Sequence, residues 1–130
     1  MYETFYDAIK RYPILDLIWN TSLVRIDLFR DEFPDVEVYA KTEMFNPGGS
    51  IKDRSVLRML TEAIVSGALS SGKTILDSTS GNARIAYTMI GRVLGYPVDL
   101  VIPGRCQFGT EKTDQCPRSP HHLYRSIRRV

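Results

Sequence analysis

The run Asn46-Pro47-Gly48-Gly49-Ser50-Ile51-Lys52-Asp53-Arg54 limits the middle of this chain more than any other stretch does. Proline fixes its own φ and pushes the preceding residue towards extended geometry, while paired glycines open positive φ. Neither a helix nor a central strand can therefore pass through residues 46–49, and a loop is expected. A helical pattern starts at Ser50 or Ile51, carried by Ile51, Ser55, Leu57, Met59, Leu60, Ala63 and Ile64 at an approximate three-to-four spacing. Lys52 thus falls in the first turn of a helix, where a cation opposes the positive end of the macrodipole at roughly 0.3–1 kcal/mol. Asp53 offsets part of that cost. On spacing alone, two readings stand: a solvated lysine beside a compensating aspartate, or a lysine whose unfavourable place serves chemistry.

Around this centre the chain alternates strands and helices. A helix is expected near Tyr2 to Arg11, then a break at Pro13. Leu23-Val24-Arg25-Ile26-Asp27-Leu28 reads as a strand, and so does 36–43, where Val36, Val38 and Ala40 alternate with Glu37, Tyr39 and Lys41. Gly67 and a polar turn close the lysine helix. Residues 74–79 form a short strand, 83–95 a helix ended by Gly95, and 98–103 another strand.

One pattern in this region is a decoy. Gly67 to Thr74 fits the phosphate-binding motif GxxxxGK[ST] letter for letter. That loop works only between a preceding strand and a following helix, whose N-terminus and loop amides converge on the phosphates. Here the order is reversed, so a P-loop nucleotide binder ranks last among the alternatives.

With 43% hydrophobic and 25% charged residues, the 130-residue chain has the composition of a soluble globular protein. A net charge of +2 gives no reason to expect nucleic acid or an anionic membrane. No apolar run approaches the ~20 residues of a membrane span, and the N-terminus lacks the basic start and apolar middle of a leader, so a cytoplasmic location is expected. Cys106 and Cys116 support neither a disulfide framework nor a metal site. The adjacent His121 and His122 are weak metal ligands without further partners, and no metal is expected.

The 46–54 motif resembles the lysine motif of the cysteine synthase and cystathionine β-synthase family of pyridoxal-phosphate (PLP) enzymes. Asn20-Thr21-Ser22-Leu23-Val24 resembles the family's Asn-Thr-Pro-Leu-Val segment, and Thr79-Ser80-Gly81-Asn82, in a loop between strand and helix, resembles its substrate loop. The resemblance implies a partial tryptophan-synthase-β-like fold (PLP fold type II): α/β, with strand-helix alternation and a mostly parallel, incomplete sheet. It implies that Lys52 carries the cofactor as a Schiff base and acts as catalytic base. It also implies that Asn82 bonds the cofactor ring, and that Thr79, Ser80 and Gly81 hold the carboxylate of a small amino-acid substrate. Ala83 and Arg84 stand where the family usually has Thr-Gly.

The reaction implied is β-replacement on an activated serine, such as O-acetylserine with sulfide. The family's glycine-rich phosphate loop and its pyridine-nitrogen partner come from the second half of a longer chain. A fragment that is inactive as it stands is therefore expected, with weak cofactor binding and without the homodimer of the parent family. The alternative is a noncatalytic structural or interaction remnant of the same fold. Three parts are expected: 1–45, leading helix and strands of the incomplete large domain; 46–103, a small α/β domain with the lysine; and 104–130, an aberrant tail.

That tail is basic, aperiodic and rich in structure breakers. Back-translated with permitted codons from Arg105 and read one base later, it yields DVSSERKRRISARGAHIIFTDPFEG, a coherent helix-turn-strand resembling the family's continuation. A frame-shifted tail is expected. Sequencing the gene across the Pro103 codon should show a one-base change of frame, and an uninterrupted family-like frame elsewhere; a gene that codes for the tail with no such change contradicts it.

Overall fold

The described residues of the computed structural model are 5–79, 81–103 and 124–129. Two short helices lead in, α1 (Phe5–Arg11) and α2 (Pro13–Asp16). Pro13, expected as a break, opens α2 at its first position, where the missing N–H costs nothing. β1 (Leu23–Ile26) and β2 (Val38–Lys41) pair antiparallel as a two-stranded hairpin, followed by a single 3-10 turn at Glu43–Phe45. The lysine loop then leads into α3 (Lys52–Val65), β3 (Ile75–Ser78), α4 (Asn82–Leu94) and β4 (Val98–Pro103). β5 (Tyr124–Arg129) completes a three-stranded sheet of order β3-β4-β5, parallel across β3 and β4 and antiparallel across β4 and β5. Residues 104–123 and Val130, most of the expected aberrant tail, lie outside the described residues.

The parallel pair explains the layer above it. Parallel neighbours need a crossover, and α4 supplies it between β3 and β4. α3 packs beside α4, and the core forms where both meet the sheet. Val56, Leu57, Leu60 and Ile64 of α3, Ala86, Ile90 and Leu94 of α4, and Ile75, Val98 and Leu100 of the strands are buried together. Ile9, Leu15 and Ile18 join the same cluster, so the leading helices are pinned to this layer.

The inward stripe of α3 differs from the expected one. Asp53, Val56, Leu57, Leu60, Thr61 and Ile64 are buried, a regular three-to-four spacing, whereas Ile51 and Met59 are 57% and 50% exposed. The apolar letters at 51 and 59 misled because two polar residues, Asp53 and Thr61, occupy the inner face. Thr61 is tolerated there because its hydroxyl donates back to Leu57 O at 2.7 Å.

Helix ends follow the glycines. Gly95 adopts φ 82° after α4, and the N–H groups of Gly95 and Tyr96 return to the carbonyls of Arg92 and Gly91. The β1–β2 hairpin has no such support: Leu23, Val24 and Ile26 are all exposed on β1, which presents no buried face.

Gly91 allows α4 to lie close against the sheet. A Cβ there would come within 2.5 Å of Val98 Cγ2 and 3.1 Å of Ile75 Cδ1. Valine is stiff at χ1, so the neighbour cannot simply swing away. Overpacking of this kind costs about 1–3 kcal/mol, against at most ~1 kcal/mol gained in helix propensity. Gly91→Ala should therefore lower the free energy of unfolding by about 1–2 kcal/mol, read from urea denaturation; a stabilised variant would contradict the close helix-sheet contact.

Candidate active site

Lys52 lies in the first turn of α3 as expected, and is its first residue, one or two positions later than the start expected at Ser50 or Ile51. Its placement follows from the loop before it. Gly49 takes φ 79°, its N–H bonds Asn46 O at 2.7 Å, and Ser50 Oγ accepts the Lys52 N–H at 3.1 Å. The Ser50 hydroxyl thus does the work of a helix cap from one position early. The Lys52 side chain is exposed and lines an open groove of roughly 460 Å³ with Trp19, Ile51, Arg54, Ser55 and Arg58.

The second predicted loop lies at the end of β3. Thr79 is hydrogen-bonded through its N–H to Val101 O, Gly81 is the extended residue that caps α4, and Asn82 is the first residue of that helix. Ser80 lies outside the described residues. Gly81 N–H points to Thr79 Oγ1 at 3.4 Å, and α4 has no side-chain cap. A thirteen-residue helix with an uncapped, glycine-led N-terminus leaves amide donors facing outward, the arrangement that receives an anion.

The two loops lead into the N-terminal ends of α3 and α4, helices that pack against each other, although the groove at Lys52 is not lined by residues 79–82. Tyr96, just past α4, donates its hydroxyl to Leu69 O at 3.2 Å, and Leu69 lies in the turn just past α3. The C-terminal ends of the helices are tied together, so their N-termini, with Lys52 and Asn82, are sent to the same opposite end. Midway, Tyr87 Oη stands 3.9 Å from Met59 Sδ.

A polar cluster beside Lys52 went unread in the sequence. Arg54 donates through Nε to Glu43 Oε2 at 2.7 Å and through Nη2 to Trp19 O and Thr21 Oγ1, each at 3.0 Å. Its guanidinium also lies 5.5 Å from the centre of the Trp19 ring, within cation-π range. Asn46, buried, donates to Glu43 O at 2.8 Å and to Glu43 Oε2 at 2.7 Å. Lys41 Nζ donates to Thr21 O. Glu43 and Arg54 lie in different elements on either side of the Pro47-Gly48-Gly49 loop, so their eleven-residue spacing carries no helical meaning; only their opposite charges beside the motif could have flagged them. The cluster clamps residues 19–21 and the 3-10 turn onto the first turn of the lysine helix.

Asp53 is fully buried, and its Oδ2 accepts the Gly48 N–H. Burial pushes this carboxyl up; the Gly48 hydrogen bond opposes the shift and the charge of Glu43 adds to it. Asp53, expected beside Lys52 in the first turn, is there, but it faces the interior rather than solvent. Glu43 is held below the ordinary glutamate value, chiefly by the Arg54 hydrogen bond, with Asn46 and Thr21 assisting.

The decoy motif is settled by order and contact. α3 precedes residues 67–74 and β3 follows them, and Lys73 Nζ is engaged with Ala68 O at 2.7 Å. The loop sits at the negative end of α3, the wrong end for phosphate. Among the described residues no group of three His, Cys, Asp or Glu could hold a metal ion, and no helix is long and apolar enough to cross a membrane.

The β3-α4-β4 layer with α3 packed beside α4 is part of an α/β fold of PLP fold type II. Comparison with known proteins agrees. The sequence pattern of the family described as pyridoxal-phosphate dependent enzyme matches residues 14–118, past Pro103 and over most of the chain, and the chain belongs to that family. A cysteine synthase of Aquifex aeolicus is 50% identical over 95 residues, covering 72% of this chain and 29% of that protein. Cystathionine beta-synthase of Saccharomyces cerevisiae is 38% identical over 98 residues, covering 74% and 19%. The crystal structure of O-acetyl serine sulfhydrylase isoform 3 from Entamoeba histolytica superposes with a TM-score of 0.64 at 38% identity, covering 70% of this chain and 28% of that one. The chain thus spans under a third of the length of these relatives. The expected fold class and the family's cofactor, pyridoxal phosphate, stand on these matches.

The Glu43–Arg54 pair sets an acid limit. Because the folded value of Glu43 is lowered, the stability it contributes is present above the ordinary value of 4.5 and is lost as pH falls through the folded value. The urea midpoint of the wild-type chain should drop over that range. Glu43→Gln should lower the midpoint at neutral pH and flatten its acid dependence; an unchanged acid limb would show that the pair is not formed.

Proposed function

We propose that this chain is the lysine-bearing part of a PLP enzyme that performs β-replacement on an activated serine, with O-acetylserine and sulfide as the substrate pair. The observation that carries the reading is the common placement of Lys52 and the α4 N-terminus at one end of the α3–α4 pair. The residues present suit one side of the cofactor: an exposed amine at the groove, and an uncapped helix start with Asn82 at its first position. The cofactor, when bound, supplies an aldehyde for attachment and a conjugated ring that stores charge.

Lys52 Nζ has two duties, attachment of the aldehyde and removal of the substrate α-proton. Both use the lone pair of the amine nitrogen. Thr79, Ser80, Gly81 and the α4 amides orient the substrate carboxylate, which aligns the Cα–H bond towards Lys52. Asn82 holds the cofactor ring by a hydrogen bond. Residues 46–103 form the domain carrying this half-site, residues 1–45 lead into the larger domain, and the tail from 104 is out of frame. The exposed Leu23, Val24 and Ile26 support the view that the hairpin belongs against a surface not described here. By itself the chain is inactive, a reading supported by its spanning 29% of the cysteine synthase it resembles.

The test is incubation of the chain with pyridoxal phosphate, borohydride reduction and peptide mapping. If Lys52 is the cofactor lysine, the label should concentrate on it over Lys10, Lys41, Lys73 and Lys112, of which Lys41 and Lys73 are engaged with carbonyls, and should vanish in Lys52→Ala. Label spread evenly over the lysines would remove the cofactor assignment. Turnover of O-acetylserine and sulfide by the chain alone would remove the claim of inactivity.

A further inference from the structure

Asp53 combines features that stability alone disfavours. It is fully buried, its Oδ1 has no hydrogen-bond partner among the described residues, and its neighbour Glu43 carries like charge. A buried carboxyl with one donor is costly, and a surface aspartate would serve the helix start better. What Asp53 does instead is grip the backbone of the lysine loop. Its Oδ2 accepts the Gly48 N–H, and the carboxyl lies so close that a Cβ on Gly48 would fall 2.4 Å from Oδ1 and 2.8 Å from Oδ2. Only glycine at 48 admits this contact.

The loop so gripped runs directly to the amine. From Gly48 the chain passes through Gly49 at φ 79° to Ser50, whose Oγ takes the Lys52 N–H at 3.1 Å. Lys52 is therefore held by Ser50 before it and Asp53 after it, while Arg54 fastens the same turn to Trp19, Thr21 and Glu43. The side chain of Lys52 itself is exposed, so its backbone alone sets where the amine starts.

We propose that Asp53 and Gly48 form a latch that positions the Lys52 amine, with Asp53 acting as a positioning residue that touches neither cofactor nor substrate. This rests on the assignment of Lys52 as the cofactor lysine. The latch needs an oxygen acceptor for the Gly48 N–H and does not need a charge. An asparagine side chain offers such an oxygen at the same reach; alanine and leucine offer none.

The full chain and its variants Asp53→Asn, Asp53→Ala, Asp53→Leu and Gly48→Ala are each treated with pyridoxal phosphate, reduced with borohydride and mapped over the five lysines, with far-UV circular dichroism in parallel. Wild type and Asp53→Asn should label Lys52 selectively. Asp53→Ala and Asp53→Leu should lose that selectivity about tenfold while keeping their helical signal, and so should Gly48→Ala, which displaces an intact Asp53. Selective labelling in Asp53→Ala, or its loss in Asp53→Asn, overturns the latch and leaves the cofactor reading standing. Collapse of the helical signal in all three disruptive variants makes Asp53 a structural residue and overturns the positioning role. Unselective labelling of the wild type overturns both readings at once.

Discussion

Everything at the candidate site depends on which stripe of α3 is buried. Residues 53, 56, 57, 60, 61 and 64 face the core, so the helix cannot rotate without exposing Val56, Leu57, Leu60 and Ile64. Burying each such side chain is worth about 1.5–3 kcal/mol. One residue step turns a helix by about 100°, and Lys52 precedes Asp53 by one step, so an inward Asp53 leaves the amine at the edge of the buried face. The groove at Lys52 is a consequence of packing four apolar residues further along the helix.

The second constraint is the tie between helix ends. α4 must cross between parallel β3 and β4, and Tyr96 anchors its end to the turn after α3. Two helix starts, each without a cap from its own N-cap side chain, then share one end of the layer. A helix start attracts anions and opposes cations, so both ends of this pair favour negative charge nearby. Arg54 and Glu43 add a neutral clamp that holds residues 19–21 against the lysine helix without adding net charge to the groove.

Much of the secondary structure was legible. The glycines and Pro47 marked the lysine loop; Gly67 and Gly95 marked helix ends, both with positive φ; and the strands at 75–78 and 98–103 lay within the expected runs. The family and its cofactor were legible from the motif. The phase of α3 was not, because Asp53 and Thr61 look like surface residues and Ile51 and Met59 look like core. Neither was the Arg54 cluster, whose members at 19, 21, 43, 46 and 54 come from separate elements and loops that only the tertiary fold brings together. The absence of any buried face on β1 was also invisible, since Leu23, Val24 and Ile26 read as residues that some surface must cover.

Local chemistry, then, was decided by sequence: where turns must fall, roughly where the lysine helix and the helix after residue 82 begin, and that a lysine sits where a lysine is disfavoured. These follow from backbone sterics and dipoles within a few residues of each position. Which carboxyl is buried, which arginine holds the N-terminal segment, and that Lys52 and Asn82 share one end were decided only by the tertiary structure. They depend on contacts between residues far apart in the chain, and those form only when the core has set the helices against the sheet.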